Sequence, residues 1–299
     1  MKTVLRYAGG KSKAIKHITP FVEKYDKIVS PFIGGGSLEV HWATTLNKKV
    51  IGYDVFDVLV NFWNILLNQN NDLADKMDQI NPNAEEYARI KEILMKSAET
   101  QNMLKDWKTD YYKRDDVISL DSLTMAAYYY FNHNCSYGPG YLGWGSSVYL
   151  KQKTWDKMIQ SIRNFKTDNL RVGLMSFEES ILKHKDRFLY LDPPYYLDKD
   201  NDKDNKMHKG MYPMKNIDVH HSGFDHELLR DLLLNHNGDF VLSYNNCETI
   251  REYYKDFEFY FPEWSYSMSN GESRIGKNRK ELNDSKIVKE SHEILIIKR

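Results

Sequence analysis

A run of three glycines between two short apolar segments limits the folds open to this chain more than any other feature. Residues 27–29 form a short strand-like run, and Pro-Phe-Ile-Gly-Gly-Gly-Ser follows at 31–37. A helical pattern covers 38–46, and the apolar run 50–53 ends at Asp54. Strand, glycine turn, helix and strand in this order predict a parallel sheet, so the expected fold class is α/β.

Gly34, Gly36 and Asp54 also predict a ligand. A tight glycine turn after a first strand brings the backbone close to a ligand, and an acidic residue about twenty positions later accepts hydrogen bonds from a ribose. The three residues have this spacing. They favour a nucleoside-type cofactor without choosing between NAD and S-adenosylmethionine, and the same turn also suits plain packing of a helix on a strand.

The middle of the chain differs in character from its two ends. Helical periodicity dominates residues 58–161. Strand-like runs return later, at 170–173, 188–191, 240–243, 257–260 and 293–297. We therefore predict a catalytic and cofactor-binding domain built from residues 1–57 and 162–299, with a helical insertion at 58–161.

Composition narrows the class of protein. The 42 lysines and arginines equal the 42 acidic residues in number, so any nucleic-acid surface must be local. Cys135 and Cys247 lie far apart and the histidines show no metal-ligand spacing, which indicates a reducing compartment and no metal. The chain has no apolar signal core and no apolar run of about eighteen residues, so a soluble, cytoplasmic protein is expected.

Asp192-Pro193-Pro194-Tyr195 directly follows the apolar run 188–191 and indicates a reaction. The exocyclic amine of a nucleobase is a poor nucleophile because its lone pair is delocalised into the ring, so chemistry there requires hydrogen-bond acceptors. The Asp192 carboxylate and the Pro193 carbonyl supply two acceptors. The prolines stiffen the loop, and Tyr195 offers a ring on which an extruded base stacks. The alternative is a strand that ends in an ordinary turn.

The same motif favours one cofactor. A hydride-transfer enzyme has no use for amine acceptors beside its cofactor, so the motif favours S-adenosylmethionine over NAD. Upstream, residues 7–13 contain Gly-Lys-Ser, but a phosphate-binding P-loop requires a glycine where Leu5 stands. We expect this segment to close over the methionine end of the cofactor, with Lys11 meeting a carboxylate or the substrate strand. An exposed lysine in a turn is the alternative.

Taken in order, these motifs resemble those of the Dam-type, alpha-group DNA adenine-N6 methyltransferases. The resemblance rests on Tyr-Ala-Gly-Gly-Lys at 7–11, the glycine loop at 31–37 with Asp54, and Asp-Pro-Pro-Tyr at 192–195. Further segments similar to parts of the family lie at 130–138, 242–246 and 293–296. The likeness spans most of the chain.

The resemblance implies a fold and a set of site residues. The fold is that of the class I S-adenosylmethionine-dependent methyltransferases, a Rossmann-like, mostly parallel sheet with one reversed strand. The helical insertion becomes a target-recognition domain with a DNA-reading loop. The implied catalytic residues are Asp192, Pro193, Pro194 and Tyr195. With the two glycines, the expected cofactor-binding set is Tyr7, Lys11, Gly34, Gly36, Asp54 and Asp192.

The expected DNA-reading loop departs from the family members that recognise GATC. Asn132 is followed by histidine where those members have arginine, and the hairpin at 139–144 contains no arginine that would pair with guanine. GATC specificity is therefore not expected. Asn132 belongs to the predicted DNA surface, and Tyr137, Tyr141 and Trp144 are candidates to wedge into or stack on DNA, although such aromatic loops also pack onto their own domain.

The most basic local stretch lies at 274–280. Arg274 and Lys277 are candidates to contact DNA phosphates, with binding that weakens as salt rises. A solvated surface loop is the alternative.

The sequence therefore predicts a site-specific enzyme that transfers a methyl group from S-adenosylmethionine to the N6 amine of a flipped-out adenine in double-stranded DNA. The transfer is expected to be direct, without a covalent intermediate or a metal. The same chemistry on cytosine N4 or on RNA, and a non-catalytic DNA reader, are the alternatives. The recognition sequence, the presence of a cognate restriction endonuclease and the oligomeric state stay open.

Overall fold

One seven-stranded sheet organises the chain. The computed structural model describes residues 2–7, 9–104, 114–196, 224–262 and 293–299. The strands are β1 (Lys27–Ser30), β2 (Lys49–Asp54), β3 (Leu170–Leu174), β4 (Leu189–Leu191), β5 (Phe240–Asn245), β6 (Glu258–Tyr260) and β7 (Glu293–Lys298). Their order is β3-β2-β1-β4-β5-β7-β6.

The direction of the strands confirms the predicted fold class. Strands β1 to β5 pair in parallel, whereas β7 runs antiparallel to both of its neighbours, β5 and β6. The result is a mostly parallel α/β sheet with one reversed strand. This is the arrangement that the class I methyltransferase resemblance implies.

Helices cover the sheet and fill the long connection between β2 and β3. In chain order they are a 3-10 helix (Lys11–Lys13), α1 (Ile15–Val22), α2 (Ser37–Thr45), α3 (Asp57–Asn68), α4 (Asn70–Asp78), α5 (Ala84–Lys96), α6 (Ala98–Leu104), α7 (Ser122–Asn134), α8 (Gln152–Arg163), α9 (Phe177–Lys183), α10 (His226–Leu234) and α11 (Glu248–Tyr253). Between β2 and β3 the described residues contain helices α3 to α8 and isolated bridges but no strand.

Helices α5, α7, α9 and α10 begin at side-chain caps that the sequence supplies, and the first two show the pattern. The Asn83 side chain accepts a hydrogen bond from the Glu86 amide at 2.8 Å, which starts α5. The Asp121 side chain accepts from the Thr124 amide at 2.8 Å, which starts α7. Such caps satisfy amide groups that have no partner inside a helix.

The core lies on both faces of the sheet because alternate strand residues point to opposite sides. On one face Ile28, Tyr190 and Leu295 pack with helices α1 to α4, α7 and α8. On the other face Leu191 and Leu242 pack with α9, α10 and α11. Strand β5 is buried along its whole length, as expected of a strand covered on both sides.

The helices between β2 and β3 share the first of these cores. Phe62 of α3 stacks on Tyr130 of α7, with ring centroids 5.3 Å apart. Trp155 of α8 is fully buried and its indole Nε1 donates to the Met77 carbonyl at 3.2 Å. These helices therefore form a continuous hydrophobic layer with the sheet. In the part of the chain that the structure describes, no helix has the length and apolar content to cross a membrane.

Candidate active site

The predicted motifs meet at one edge of the sheet. The carboxyl ends of β1, β2, β4 and β5 lie at this edge, and the reversed strand β7 begins there. Strand β1 pairs with β2 on one side and with β4 on the other, so the strand order reverses at this point. Open α/β sheets form their ligand crevice at such a reversal.

The glycine loop that leaves β1 is tied to the end of β2. Gly34 and Gly36 have φ angles of 46° and 60°, in the left-handed region that glycine adopts without strain. The Gly34 amide donates to Asp54 Oδ2 at 3.1 Å, and Asp54 Oδ1 accepts from the Phe56 amide at 3.0 Å. The Trp63 indole donates to the Gly34 carbonyl at 3.0 Å. The structure thus brings Gly34, Gly36 and Asp54 together.

Tyr7 lies directly on this loop. A Cβ atom added at Gly34 would lie 3.1 Å from Tyr7 Cε1, so the ring rests against bare backbone. His133 of α7 also stacks on the Tyr7 ring, at a centroid distance of 5.6 Å. Tyr7 therefore lies between the glycine loop and the end of α7.

Lys11 is the centre of a buried charged cluster. Its side chain is 4% exposed, and Nζ lies 2.7 Å from Asp192 Oδ1 and 3.5 Å from Glu293 Oε1. The ammonium also donates to the Tyr195 hydroxyl at 3.1 Å, and that hydroxyl donates to Glu293. These contacts form one network, which we call the Lys11 cluster. It consists of Lys11, of Asp192 and Tyr195 in the Asp-Pro-Pro-Tyr motif, and of Glu293 at the start of β7.

Burial controls the charge state of the two carboxyls. It raises the pKa of Asp192, although the nearby Lys11 ammonium opposes the rise. Burial also raises the pKa of Glu293 to about 8, with Lys11 opposing the rise and the charge of Asp192 reinforcing it. At neutral pH Glu293 therefore favours its protonated form, and Lys11 is left to pair with Asp192.

A third buried carboxyl lies on the same side of the sheet. Glu39 of α2 is 3% exposed, and its Oε1 accepts from the Ser30 hydroxyl at 2.7 Å. Burial raises the pKa of Glu39 to about 7, the Ser30 hydrogen bond lowers it, and the charge of Asp192 adds a smaller rise.

The loop after β4 is anchored directly after the Asp-Pro-Pro-Tyr motif. Pro193 is buried, while Pro194 and Tyr195 are half-buried. The Asn245 side-chain amide, at the end of β5, donates to the Tyr196 carbonyl at 2.7 Å. The motif is therefore fixed to the sheet edge rather than free in solvent.

The segment after α7 forms a short hairpin that presents two aromatic side chains to solvent. Ser136 and Gly145 form an antiparallel bridge, and the Tyr137 amide donates to the Trp144 carbonyl at 2.7 Å. Tyr137 is 60% exposed and Trp144 is 83% exposed. Lys91 Nζ lies 5.2 Å from the centroid of the Trp144 ring, which adds a positive charge to this exposed tip.

Asn132 and Tyr141 lie beneath that tip. Asn132 is fully buried, and its Oδ1 accepts from the Leu142 amide at 2.6 Å. Tyr141 is 5% exposed, and its hydroxyl lies 2.6 Å from Thr100 Oγ1. Direct contact between DNA and either side chain would require these buried hydrogen bonds to break. The predicted residues Arg274 and Lys277 lie outside the described residues.

The N-terminal segment 3–7 connects the hairpin to Tyr7 and Lys11. The Arg6 guanidinium donates to the carbonyls of Asn134 and Ser136 at 2.5 and 3.2 Å and lies 3.5 Å from the Tyr149 ring centroid. The Asn134 amide side chain donates to the Val4 carbonyl at 3.1 Å. The segment 3–7, which ends at Tyr7, is therefore attached to the end of α7. Lys11 follows it closely in the sequence.

Three residues of this site escape the sequence analysis: Glu293, Glu39 and Arg6. Glu293 carries a visible signal, because a carboxylate opens an otherwise apolar strand. Glu39 carries a similar one within the helix after the glycine loop. Arg6 has no local signal, since its partners are more than a hundred residues away in the sequence.

Comparison with known proteins agrees with this geometry. Residues 7–268 match the family of D12 class N6 adenine-specific DNA methyltransferases. The chain is also similar to the Type II methyltransferase M1.LlaDCHI of Lactococcus lactis subsp. cremoris, at 24% identity over 275 residues that cover 87% of each chain. The family match spans most of the chain and includes every motif of the site except the start of β7. The chain belongs to the D12 class N6 adenine-specific DNA methyltransferases, and it is an enzyme that methylates the N6 amine of adenine in DNA.

Proposed function

We propose that this enzyme takes its methyl group from S-adenosylmethionine and acts on an adenine flipped out of double-stranded DNA. One observation carries the proposal: Asp192 lies 2.7 Å from the Lys11 ammonium at the strand edge where the glycine loop meets Asp54. An amine acceptor and a nucleoside-type loop therefore share one crevice. Methyl transfer to a base amine requires both.

The residues around the glycine loop fit the cofactor. A Cβ atom at Gly34 would lie 3.1 Å from Tyr7 Cε1, and one at Gly36 would lie 2.7 Å from Trp63 Cζ2, so these two positions of the loop favour glycine. Asp54 is placed to accept hydrogen bonds from a ribose, Tyr7 supplies an aromatic wall, and Lys11 attracts a carboxylate. When bound, S-adenosylmethionine supplies an electrophilic methyl group.

The Asp-Pro-Pro-Tyr loop is proposed to orient the base. The Asp192 carboxylate and the Pro193 carbonyl accept hydrogen bonds from the N6 amine, which directs the nitrogen lone pair towards the crevice. Pro194 stiffens the loop, and the Tyr195 ring stacks on the flipped adenine. Asp192 or water takes the proton that the methylated amine releases, because that nitrogen is acidic.

The helical segment 58–161 is proposed to recognise the target, with residues 1–57 and 162–299 as the catalytic unit. Tyr137 and Trp144 support this assignment because they project into solvent from the hairpin. We assign them the first contacts with DNA. Asn132 and Tyr141 then support the hairpin from below. Two further residues are proposed to contact phosphates: Arg274 and Lys277.

We also infer membership of the Dam-type, alpha group. The order of the motifs at 7–11, 31–37 and 192–195 supports this, whereas the loop after Asn132 argues against GATC as the target. The similar protein from Lactococcus lactis is a Type II methyltransferase, which supports a partnership with a restriction endonuclease.

The test is an isotope-transfer assay with a matched pair of variants. Wild type, Asp192→Ala and the exposed control Asp168→Asn are each incubated with labelled S-adenosylmethionine and unmethylated duplex DNA, and labelled nucleosides are identified by mass spectrometry. We expect N6-methyladenine from wild type and the control, and none from Asp192→Ala with its cofactor affinity retained. An active Asp192→Ala variant would contradict the proposed role of the motif, and methyl transfer only to single-stranded DNA or RNA would contradict the proposed substrate.

A further inference from the structure

A carboxyl group opens the apolar strand β7. The strand begins Glu-Ile-Leu-Ile-Ile, and Glu293 is 2% exposed. Removing a carboxylate from water costs free energy unless the group is paired or protonated, and an apolar residue at this position would pack without that cost. Packing alone therefore does not account for Glu293.

The sheet register places Glu293 next to the catalytic motif. The β4–β5 pairing ends with Leu191 opposite Leu242, one residue before Asp192 and Ser243, and the β5–β7 pairing puts Glu293 opposite Asn245. Because side chains alternate along a strand, Ser243, Asn245 and Glu293 lie on one face of the sheet. The Lys11 ammonium contacts both Glu293 and Asp192. The Ser243 hydroxyl lies 3.5 Å from Glu293 Oε2, which confirms that the two side chains face each other.

Glu293 reaches the motif through the Tyr195 hydroxyl. That hydroxyl accepts a hydrogen bond from Lys11 at 3.1 Å and donates one to Glu293. The phenol is thus held from two sides. A ring held in this way keeps one orientation, and a ring with a free hydroxyl end does not.

We infer that Glu293 is a positioning residue for methyl transfer, which holds the Tyr195 phenol and the Lys11 ammonium in place beside Asp192. The inference rests on the proposed roles of Asp192 and Tyr195. Its physical reason is preorganisation, since a stacking platform and an amine acceptor act best when their supporting contacts already fix them.

The charges around Glu293 agree with this role. Among the described residues, the titratable side chains that face it are Lys11 of the 3-10 helix and Asp192 and Tyr195 of the loop after β4, while Glu39 of α2 acts on Asp192. With Glu293 protonated, the Lys11 ammonium pairs with Asp192, which matches the shorter of its two carboxylate distances. An ionised Glu293 competes with Asp192 for the same ammonium.

A double-mutant cycle tests the inference. Glu293→Leu removes the acceptor but keeps bulk, and Tyr195→Phe removes the hydroxyl but keeps the ring. We expect each change to lower the single-turnover methylation rate by roughly 3- to 10-fold, the effect of freeing one or two ordered side chains. Since both changes break the same contact, the double variant should be no slower than about the slower single variant. If the two rate losses multiplied in the double variant, the inference would be overturned. A fully active Glu293→Leu variant would also overturn it.

Glu39→Leu is the matched control. It removes another buried carboxyl from the same face of the sheet, and in the described part of the chain Glu39 hydrogen-bonds Ser30 rather than the Lys11 cluster. Its effect should multiply with that of Tyr195→Phe. If the rate losses failed to multiply when Tyr195→Phe was combined with either carboxyl variant, the site would be generally disordered. That result would count against a specific link between Glu293 and Tyr195.

Glu293→Gln separates positioning from folding. The amide oxygen still accepts from Tyr195, so we expect a rate within about 2-fold of wild type near pH 7, because such a swap keeps the hydrogen bond. In wild type the rate should fall as the pH rises through about 8, where Glu293 ionises, and in Glu293→Gln this fall should be absent. If the rate of Glu293→Gln fell at alkaline pH as the rate of wild type does, the inference would be overturned. This test holds even if Glu293→Leu does not fold. Failure of the proposed function is a separate result, because wild type would then form no N6-methyladenine.

Discussion

Glu39→Gln should change how the stability of this enzyme depends on pH. The Glu39 carboxyl is buried under the site, and burial raises its pKa from 4.5 to about 7. Glutamine keeps the shape and an acceptor for the Ser30 hydroxyl but has no titrating proton. The substitution therefore removes one ionisation and leaves the packing of α2 close to that of wild type.

The size and sign of the effect follow from the two pKa values. Between pH 4.5 and 7 the unfolded chain has released the Glu39 proton while the native chain still holds it. Folding then requires proton uptake, so this group's contribution is fully present below pH 4.5 and is lost as the pH rises through about 7. Since one pKa unit corresponds to ~1.4 kcal/mol, the free energy of unfolding falls by about 3 kcal/mol across this window.

Urea unfolding of wild type and Glu39→Gln at pH 5, 6, 7 and 8, followed by tryptophan fluorescence, measures this difference. The difference in free energy of unfolding, Glu39→Gln minus wild type, should increase by about 3 kcal/mol from low to high pH. Most of this increase should occur below about pH 7.5. Glu23→Gln makes the same exchange at an exposed position and is the matched control. Parallel curves for Glu39→Gln and wild type would contradict a raised pKa of Glu39 in the native state.

Three further predictions concern single contacts. Asp54→Ala should weaken S-adenosylmethionine binding by roughly 1–3 kcal/mol in calorimetry, because a charged acceptor is lost; unchanged affinity would remove Asp54 from the proposed cofactor site. Trp144→Ala should leave the melting temperature unchanged because the side chain is 83% exposed, yet lower DNA affinity in a fluorescence titration; equal affinity would refute its DNA role. Asn132→Ala should destabilise the fold by about 1–3 kcal/mol in urea because the buried Leu142 amide loses its acceptor, and a smaller loss would show that the hairpin rearranges.

Local patterns in the sequence predict the sheet and the location of two motifs at its edge. Each predicted strand is present, because short apolar runs ending in glycine, proline or aspartate mark strands of a buried parallel sheet. The link between Gly34 and Asp54 is also local in origin, since a fixed spacing along a strand–helix–strand unit brings the two residues together. The Asp-Pro-Pro-Tyr motif lies just beyond β4 for the same reason.

Burial and distant pairing lie beyond such patterns. Asn132 and Tyr141 belong to an aromatic, polar stretch that suggests DNA contact, but the structure buries both beneath the hairpin. Which side of a loop faces solvent depends on helices far away in the sequence. Glu293 shows the same limit, because only the β5–β7 register places its carboxyl beside Asp192. The chemistry of one motif is visible in its residues, whereas the partners that hold it are not.

The attachment of residues 3–7 to the end of α7 defines what can be exchanged between related enzymes. The proposed recognition segment begins after β2 and ends before β3, yet Arg6 and Val4 bind Asn134 and Ser136 near its hairpin. A graft of 58–161 from a relative without asparagine at position 134 would leave the Arg6 amide and the Val4 carbonyl without their side-chain partner. A chimera that is meant to read a new DNA sequence should therefore carry the relative's first residues together with its helical segment.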